Sequence, residues 1–270
     1  MVPVATDALG LVPEDFAAKM EEWEERYPGL KKPRVLYTIP TGANPSGGTL
    51  PLDRRRKLYA TAQEHDMLII EDDPYYWLQF GDTRQASLLS MDVDARVIRF
   101  DSFSKIMSSG IRMGCVTGPQ ALVQQLSLHA QAVNLHPSGV SQAVLLKLMQ
   151  HWGEEGFEDH VKSVCSFYQA QRDAFLASAD KHLTGLAGWT RPEAGMFSWI
   201  ELYGVEDSFA LISEKAVEEK VLLVPGSVFL SDPDAKSGHV RAAYSTASPE
   251  EMDKALERLA RLLRAASEEK

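Results

Sequence analysis

Between Arg96 and Cys115 the chain reads RVIRFDSFSKIMSSGIRMGC. An apolar, β-favouring run (Val97, Ile98, Phe100) ends in two hydroxyls, Ser102 and Ser104, beside a single amine, Lys105, and a guanidinium, Arg112, follows close behind. Two other strand-like runs end in comparable chemistry. RVLYTIP leads into the turn-forming TGANPSGG, which carries Asn44, and MLII leads into EDDPYY, which carries Asp72 and Tyr75. Ligands of open parallel sheets bind beyond the carboxyl ends of the strands. If these three strands are parallel neighbours, an amide, a carboxylate, a phenol, an amine and a guanidinium converge on one crevice.

Such a set suits one kind of ligand. A lysine amine can form an imine with an aldehyde, and Arg112 with serine hydroxyls can hold a phosphate. A carboxylate at a ring nitrogen keeps a pyridine protonated and makes it an electron sink. Asn44 and Tyr75 can donate hydrogen bonds to a ring oxygen. The residue types therefore point to pyridoxal 5'-phosphate. Each also has a plainer reading. Asn44 before Pro45, and Asp72 beside Asp73 and Pro74, could be turn residues. Ser102 could cap a helix starting near Lys105. Arg112 could form a surface ion pair, and Arg241, in HVRAAYS, could serve packing or an ion pair.

The elements that must position these groups alternate along the first half. The pattern predicts a helix over Glu14–Tyr27 with Phe16, Met20 and Trp23 on one face, a short buried-type strand in RVLYTIP, and a helix over Leu52–His65. Strands follow in MLIIEDDP, RVIRF and MGCVTG. This is an α/β layout with a mostly parallel sheet. The second half opens on a long helix whose stripe of Phe157, Val161, Val164, Tyr168, Phe175 and Leu176 reads as core. GMFSWIEL, VLLVPGSVFL and HVRAAYS are strand candidates. Ser248-Pro249-Glu250-Glu251 is a capping box opening a final amphipathic helix through Met252, Leu256, Leu259 and Leu263. The compositional change at QHWGEEG sets an expected boundary between a domain over 1–152 and a smaller α+β domain over 153–270.

The 270 residues are 44% hydrophobic and carry a formal net charge of −10, which disfavours nucleic acid and anionic membranes as partners. No run is long enough to span a membrane and the opening residues do not resemble a signal peptide. Two cysteines, Cys115 and Cys165, have no metal-like spacing, and neither do the seven histidines. No metal site is expected. A reducing, cytoplasmic setting is expected, with both cysteines packed in the interior.

Taken together, PxxxNPxG (Pro40, Asn44, Pro45, Gly47), DxxY (Asp72, Tyr75) and SxSKxxxxGxRxG (Ser102, Ser104, Lys105, Gly110, Arg112, Gly114) resemble the class I/II aminotransferases of fold type I. EDDPYYWLQF, SFSKIMSSGIRMG, LHPSG, HWGEEGF and VRAAYSTASPEEMDKA are similar to the kynurenine/2-aminoadipate and aromatic aminotransferase subgroup. The resemblance runs from about residue 5 to the C-terminus. It implies a pyridoxal-phosphate enzyme that moves an amino group from an aromatic amino acid, kynurenine or 2-aminoadipate to a 2-oxo acid. Lys105 would bond the cofactor and shuttle the proton, Asp72 would pair with the ring nitrogen, and Asn44 and Tyr75 would hold the ring oxygen. Ser102 and Arg112 would bind the phosphate, and Arg241 would clamp the substrate carboxylate. Phe197 is assigned equally to the pocket or to the core.

Members of that family carry a further N-terminal portion ahead of the segment matching VATDALGLVPEDF. It supplies phosphate contacts, a ring-stacking aromatic and much of a homodimer interface. The expectation for these 270 residues alone is weak cofactor retention and little or no transaminase activity. The other readings are a different pyridoxal-phosphate reaction, such as a lyase, and a catalytically silent binding or regulatory module.

Overall fold

A computed structural model of the chain describes residues 1–268, and the chain divides into two compact units. One comprises Val4–Thr41 and Gly48–Cys165; the other comprises Met1–Pro3, Gly42–Gly47 and the chain from Ser166 onward. The expected boundary at 152/153 falls at Gly153, a helix break with φ of 62°, whereas the compact units part at Cys165–Ser166.

The first unit begins with a two-strand hairpin, β1 (Thr6–Asp7) and β2 (Gly10–Leu11). The helix predicted over Glu14–Tyr27 forms as two, α1 (Pro13–Glu21) and α2 (Trp23–Arg26), parted at Glu22. Pro13 opens the first helix, where its missing N–H costs nothing, and Glu14 and Asp15 follow at the positive end of the helix dipole. Phe16, Met20 and Trp23 are buried as their spacing predicts.

The main sheet of this unit has the order β3-β4-β5-β6, from β3 (Val35–Thr38), β4 (Leu68–Asp72), β5 (Val97–Ser102) and β6 (Gly114–Thr117). The first three are parallel, with α3 (Leu52–Glu64) in the crossover from β3 to β4; β6 returns antiparallel on β5. Register gives the sheet two unlike faces, because side chains alternate along each strand. Leu36, Thr38, Ile69, Glu71, Val97 and Arg99 share one face and all are buried. Tyr37, Ile70, Asp72, Phe100 and Ser102 share the other, which is more open. The expectation of a buried β3 is corrected. With a neighbour on one side only, it leaves Val35 46% and Tyr37 55% exposed.

Beyond the sheet, α4 (Gln120–Val133) has no buried residue. In α5 (Gly139–Leu183), Phe157, Val161, Phe175 and Leu176 are buried, while Val164 and Tyr168 are half-buried. The cysteines are not the packing residues expected. Cys115 is exposed on the edge strand β6, and Cys165 is half-buried with its Sγ donating to the Trp77 carbonyl.

The second unit is α+β. Strands β7 (Ala187–Trp189), β8 (Phe197–Leu202), β9 (Val224–Pro225) and β10 (His239–Ala243) form an antiparallel sheet ordered β7-β8-β10-β9. VLLVPGSVFL is not one strand: only Val224–Pro225 pairs, and Gly226–Phe229 turns as a 3-10 helix. Ile200, Leu202, Val240 and Ala242 are buried, as are Met252, Leu256, Leu259 and Leu263 of α6 (Pro249–Glu268). The capping box forms in both directions: Ser248 N donates to Glu251 Oε2 at 2.8 Å and Glu251 N donates to Ser248 Oγ at 3.3 Å.

Candidate active site

Five of the seven residues singled out by chemistry lie in the first unit, at the carboxyl ends of β4 and β5. The parallel neighbours assumed from sequence are present: Asp72 ends β4 directly beside Phe100, and Ser102 ends β5 one pleat further along the same face. Tyr75 follows β4 in the tight turn after Pro74 and is 5% exposed. Beyond β5 no helix begins near Lys105. The chain makes a single tight turn in which Met107 N donates to the Phe103 carbonyl, and Ser102 Oγ accepts from Ser104 N at 3.2 Å. The bond to Ser104 uses an acceptor lone pair of Ser102 and leaves its O–H proton able to donate.

Lys105 is half-buried, and among the described residues its ammonium makes no hydrogen bond or ion pair. Most lysines that lose solvent gain an acid; among the described residues this one has none. Arg112 is exposed, in the left-handed region at φ 51°, with Nη1 donating to the Ser109 carbonyl at 3.1 Å. It lies just before Gly114, which pairs with Ser102. Gly114 is needed there, because a Cβ at this position would meet the Asp101 carbonyl oxygen at 2.5 Å.

The chemistry missed from sequence sits on the opposite, buried face of the same strand ends. Arg99 Nη1 lies 3.0 Å from Asp73 Oδ2 and 3.3 Å from Glu71 Oε1, and its Nη2 lies 2.7 Å from Asp101 Oδ1. Glu71 also accepts the backbone N–H groups of Leu88 and Leu89. Arg55, fully buried, donates to the Pro40, Leu50 and Ala86 carbonyls and to Thr41 Oγ1. Thr41 in turn donates to Asp73 Oδ2 at 3.2 Å. Burial raises the Asp73 carboxyl most, Arg99 pulls it back and Glu71 pushes it up again, leaving it at about 7. Alternation alone could have separated Asp72 from Asp73, since neighbours on a strand face opposite ways.

Asn44 and Arg241 belong to the second unit and meet there: Arg241 Nη1 donates to Asn44 Oδ1 at 2.7 Å. The guanidinium also lies over the Phe197 ring at 4.3 Å and the Phe229 ring at 5.2 Å. The turn that carries Asn44 needs its glycines. Gly42 and Gly47 have φ of 52° and 69°, and a Cβ on Gly47 would meet the Phe197 carbonyl oxygen at 2.5 Å. Phe197, left between pocket and core by sequence, is buried with its ring against the guanidinium.

Among the described residues there is no cluster of acids, cysteines and histidines that could hold a metal, and no helix is long and apolar enough to cross a membrane.

Comparison with known proteins places this architecture. Residues 3–259 match the family described as aminotransferase class I and II. The mitochondrial kynurenine/alpha-aminoadipate aminotransferase of Mus musculus is 47% identical over 267 residues, covering 98% of this chain and 63% of the mouse protein. An aromatic amino acid aminotransferase of Schizosaccharomyces pombe is 35% identical, covering 95% of this chain and 61% of its own length. Among solved structures, the alpha-aminoadipate aminotransferase LysN of Thermus thermophilus, complexed with N-(5'-phosphopyridoxyl)-L-leucine, superposes with a TM-score of 0.90 at 29% identity. That match covers 100% of this chain and 66% of LysN. The chain thus spans somewhat under two thirds of the curated relatives it matches, 63% in the mouse case. Sheet order, strand-end chemistry and these matches agree: the chain belongs to the class I and II aminotransferase family, with the fold type I architecture of its solved members.

Proposed function

We propose that this chain serves amino-group transfer between an amino acid and a 2-oxo acid, with pyridoxal 5'-phosphate as cofactor. One observation carries the reading. At the ends of two adjacent parallel strands stand a carboxylate, a buried phenol, a hydroxyl with a proton to donate, a guanidinium, and an ammonium with no partner among the described residues. These are the groups a phosphorylated pyridine aldehyde requires, and the uncommitted amine is the one a carbonyl carbon needs. Asp72 would hold the ring nitrogen, Tyr75 the ring oxygen, Ser102 and Arg112 the phosphate, and Lys105 the aldehyde carbon.

When bound, pyridoxal phosphate supplies an electron sink for the bond broken at the substrate α-carbon. The chain's own groups do the rest. Lys105 Nζ would take up and return the substrate α-proton. Arg241 presents parallel N–H groups to a carboxylate, a fork that a lysine cannot offer. Asn44 Oδ1 and the Phe197 and Phe229 rings hold that fork in place. The names of the mouse, yeast and Thermus proteins support an aromatic amino acid, kynurenine or 2-aminoadipate as the amino donor, and self-association as a homodimer is proposed with it.

Titration with pyridoxal phosphate, followed by visible absorbance, tests the reading. The expected result is a lysine-linked band in the wild-type chain that is absent in Lys105→Ala. Identical spectra for the two proteins would remove the assignment.

A further inference from the structure

The ring-nitrogen acid proposed above is itself held by a side chain from the neighbouring strand. Tyr37 Oη donates to Asp72 Oδ2 at 2.5 Å. In the β3–β4 register Tyr37 pairs with Ile70, so Asp72 lies one pleat further on, on the same face. That diagonal is within reach of a long aromatic side chain and beyond that of a serine or threonine. We propose that Tyr37 is a positioning residue: its hydroxyl fixes the Asp72 carboxylate by one oxygen, so that the other is aimed at the cofactor's ring nitrogen. The inference rests on the pyridoxal-phosphate reading of the site.

The physical reasons are three. An aspartate has two free torsions, and a carboxylate anchored at Oδ2 keeps its plane fixed when a ring nitrogen approaches Oδ1. The anchor is a donor under ordinary conditions, because burial, then the hydrogen bond to Asp72 and then its charge raise the phenol's pKa above its usual value. Asp72 itself is rigidly based: Asp73 N donates to the Phe100 carbonyl at 2.9 Å, and Asp73 is tied on the far face to Arg99. The strand end is thus fixed from behind by ion pairs and the side chain from beside by one phenol.

Tyr37→Phe removes only the hydroxyl, and circular dichroism and thermal melting would check that the variant is folded. Two measurements follow on wild type, Tyr37→Phe and Lys105→Ala: the affinity for pyridoxal phosphate, and nitrogen NMR of ring-labelled cofactor across pH. The expected result for Tyr37→Phe is that the lysine-linked visible band persists, affinity drops about tenfold, and the ring nitrogen loses its proton at a pH about one unit lower. That size is set at the low end for a hydrogen bond to a charged group, because Tyr37 is half exposed. A structural role would move the melting temperature without moving the nitrogen titration. Wild-type affinity together with an unchanged nitrogen titration in Tyr37→Phe would overturn the inference while leaving the cofactor reading intact. Indistinguishable spectra for wild type and Lys105→Ala would instead overturn the reading on which it rests. Should Tyr37→Phe be unfolded, Tyr37→His supplies a donor on the same strand. Wild-type ring-nitrogen titration in that variant supports the role, and titration shifted downward by a unit in the folded variant contradicts it.

Discussion

Two consecutive aspartates show how one strand end can carry opposed chemistry. Asp72 faces the open side of the sheet, while Asp73, 1% exposed, faces a buried guanidinium shared with Glu71 and Asp101. Its pKa of about 7 has a thermodynamic consequence. The unfolded chain gives up this proton near the ordinary aspartate value of about 4, whereas the folded chain keeps it until near 7. Between those values the folded state binds more protons, so this group's contribution to stability is full at the acid end and is lost as pH rises through 7. From pH 5 to 7.5 the loss is on the order of 2 kcal/mol. Asp73→Asn should flatten that slope, seen in urea midpoints at the two pH values; parallel slopes for wild type and variant would contradict the assignment. Asp72→Asn tests the other aspartate. It removes the charge opposite the ring nitrogen and should weaken pyridoxal phosphate binding at least tenfold with little change in melting temperature.

At the scale of elements, local chemistry sets where structure starts and how tightly segments approach. Ser248 and Glu251 each satisfy a backbone donor at the start of α6. Ser248→Ala should cost about 1 kcal/mol, measured by denaturant unfolding, with the sheet of the second unit unchanged. A loss below a few tenths of that figure would mean that water replaces the cap. Gly47 is a harder constraint. It has positive φ and a carbonyl oxygen where a Cβ would sit, so Gly47→Ala should destabilise by more than the roughly 1 kcal/mol of a simple glycine-to-alanine mismatch. The same variant should weaken the Arg241–Asn44 pair, because Asn44 rides on that turn.

Over the molecule as a whole, apolar surface is unevenly distributed. Leu128, Val133, Leu135, Val140, Val144 and Leu146 are each more than half exposed, on α4, the turn after it and the start of α5. Single exposed apolar residues are ordinary, but a run of six along consecutive elements is the kind of surface that proteins cover. The purified chain should bind a hydrophobic dye such as anilinonaphthalene sulfonate in its folded state. Leu128→Gln combined with Val140→Gln should reduce that fluorescence without lowering the melting temperature. Unchanged fluorescence would place the dye elsewhere.

Much of this was legible in residue order. Strand runs ending in Asn44, in Asp72 and Tyr75, and in Ser102 and Lys105, the capping box at Ser248, and the core stripe through Phe157 and Phe175 all follow from local pattern, because alternation, helical spacing and turn chemistry are properties of a few adjacent residues. The missed features depend on contacts across long separations. The exposure of Tyr37 and Cys115 follows from β3 and β6 being the sheet's edges, a fact of strand order. The Arg99 acid cluster joins residues from two neighbouring strand ends, and the Arg241–Asn44 bond joins positions 197 apart. Which residue types could serve a pyridine aldehyde was written in the chain. Which side chain holds Asp72, and which aspartate lies buried, was decided only when the strands took their order and register, since pairing determines who stands beside whom.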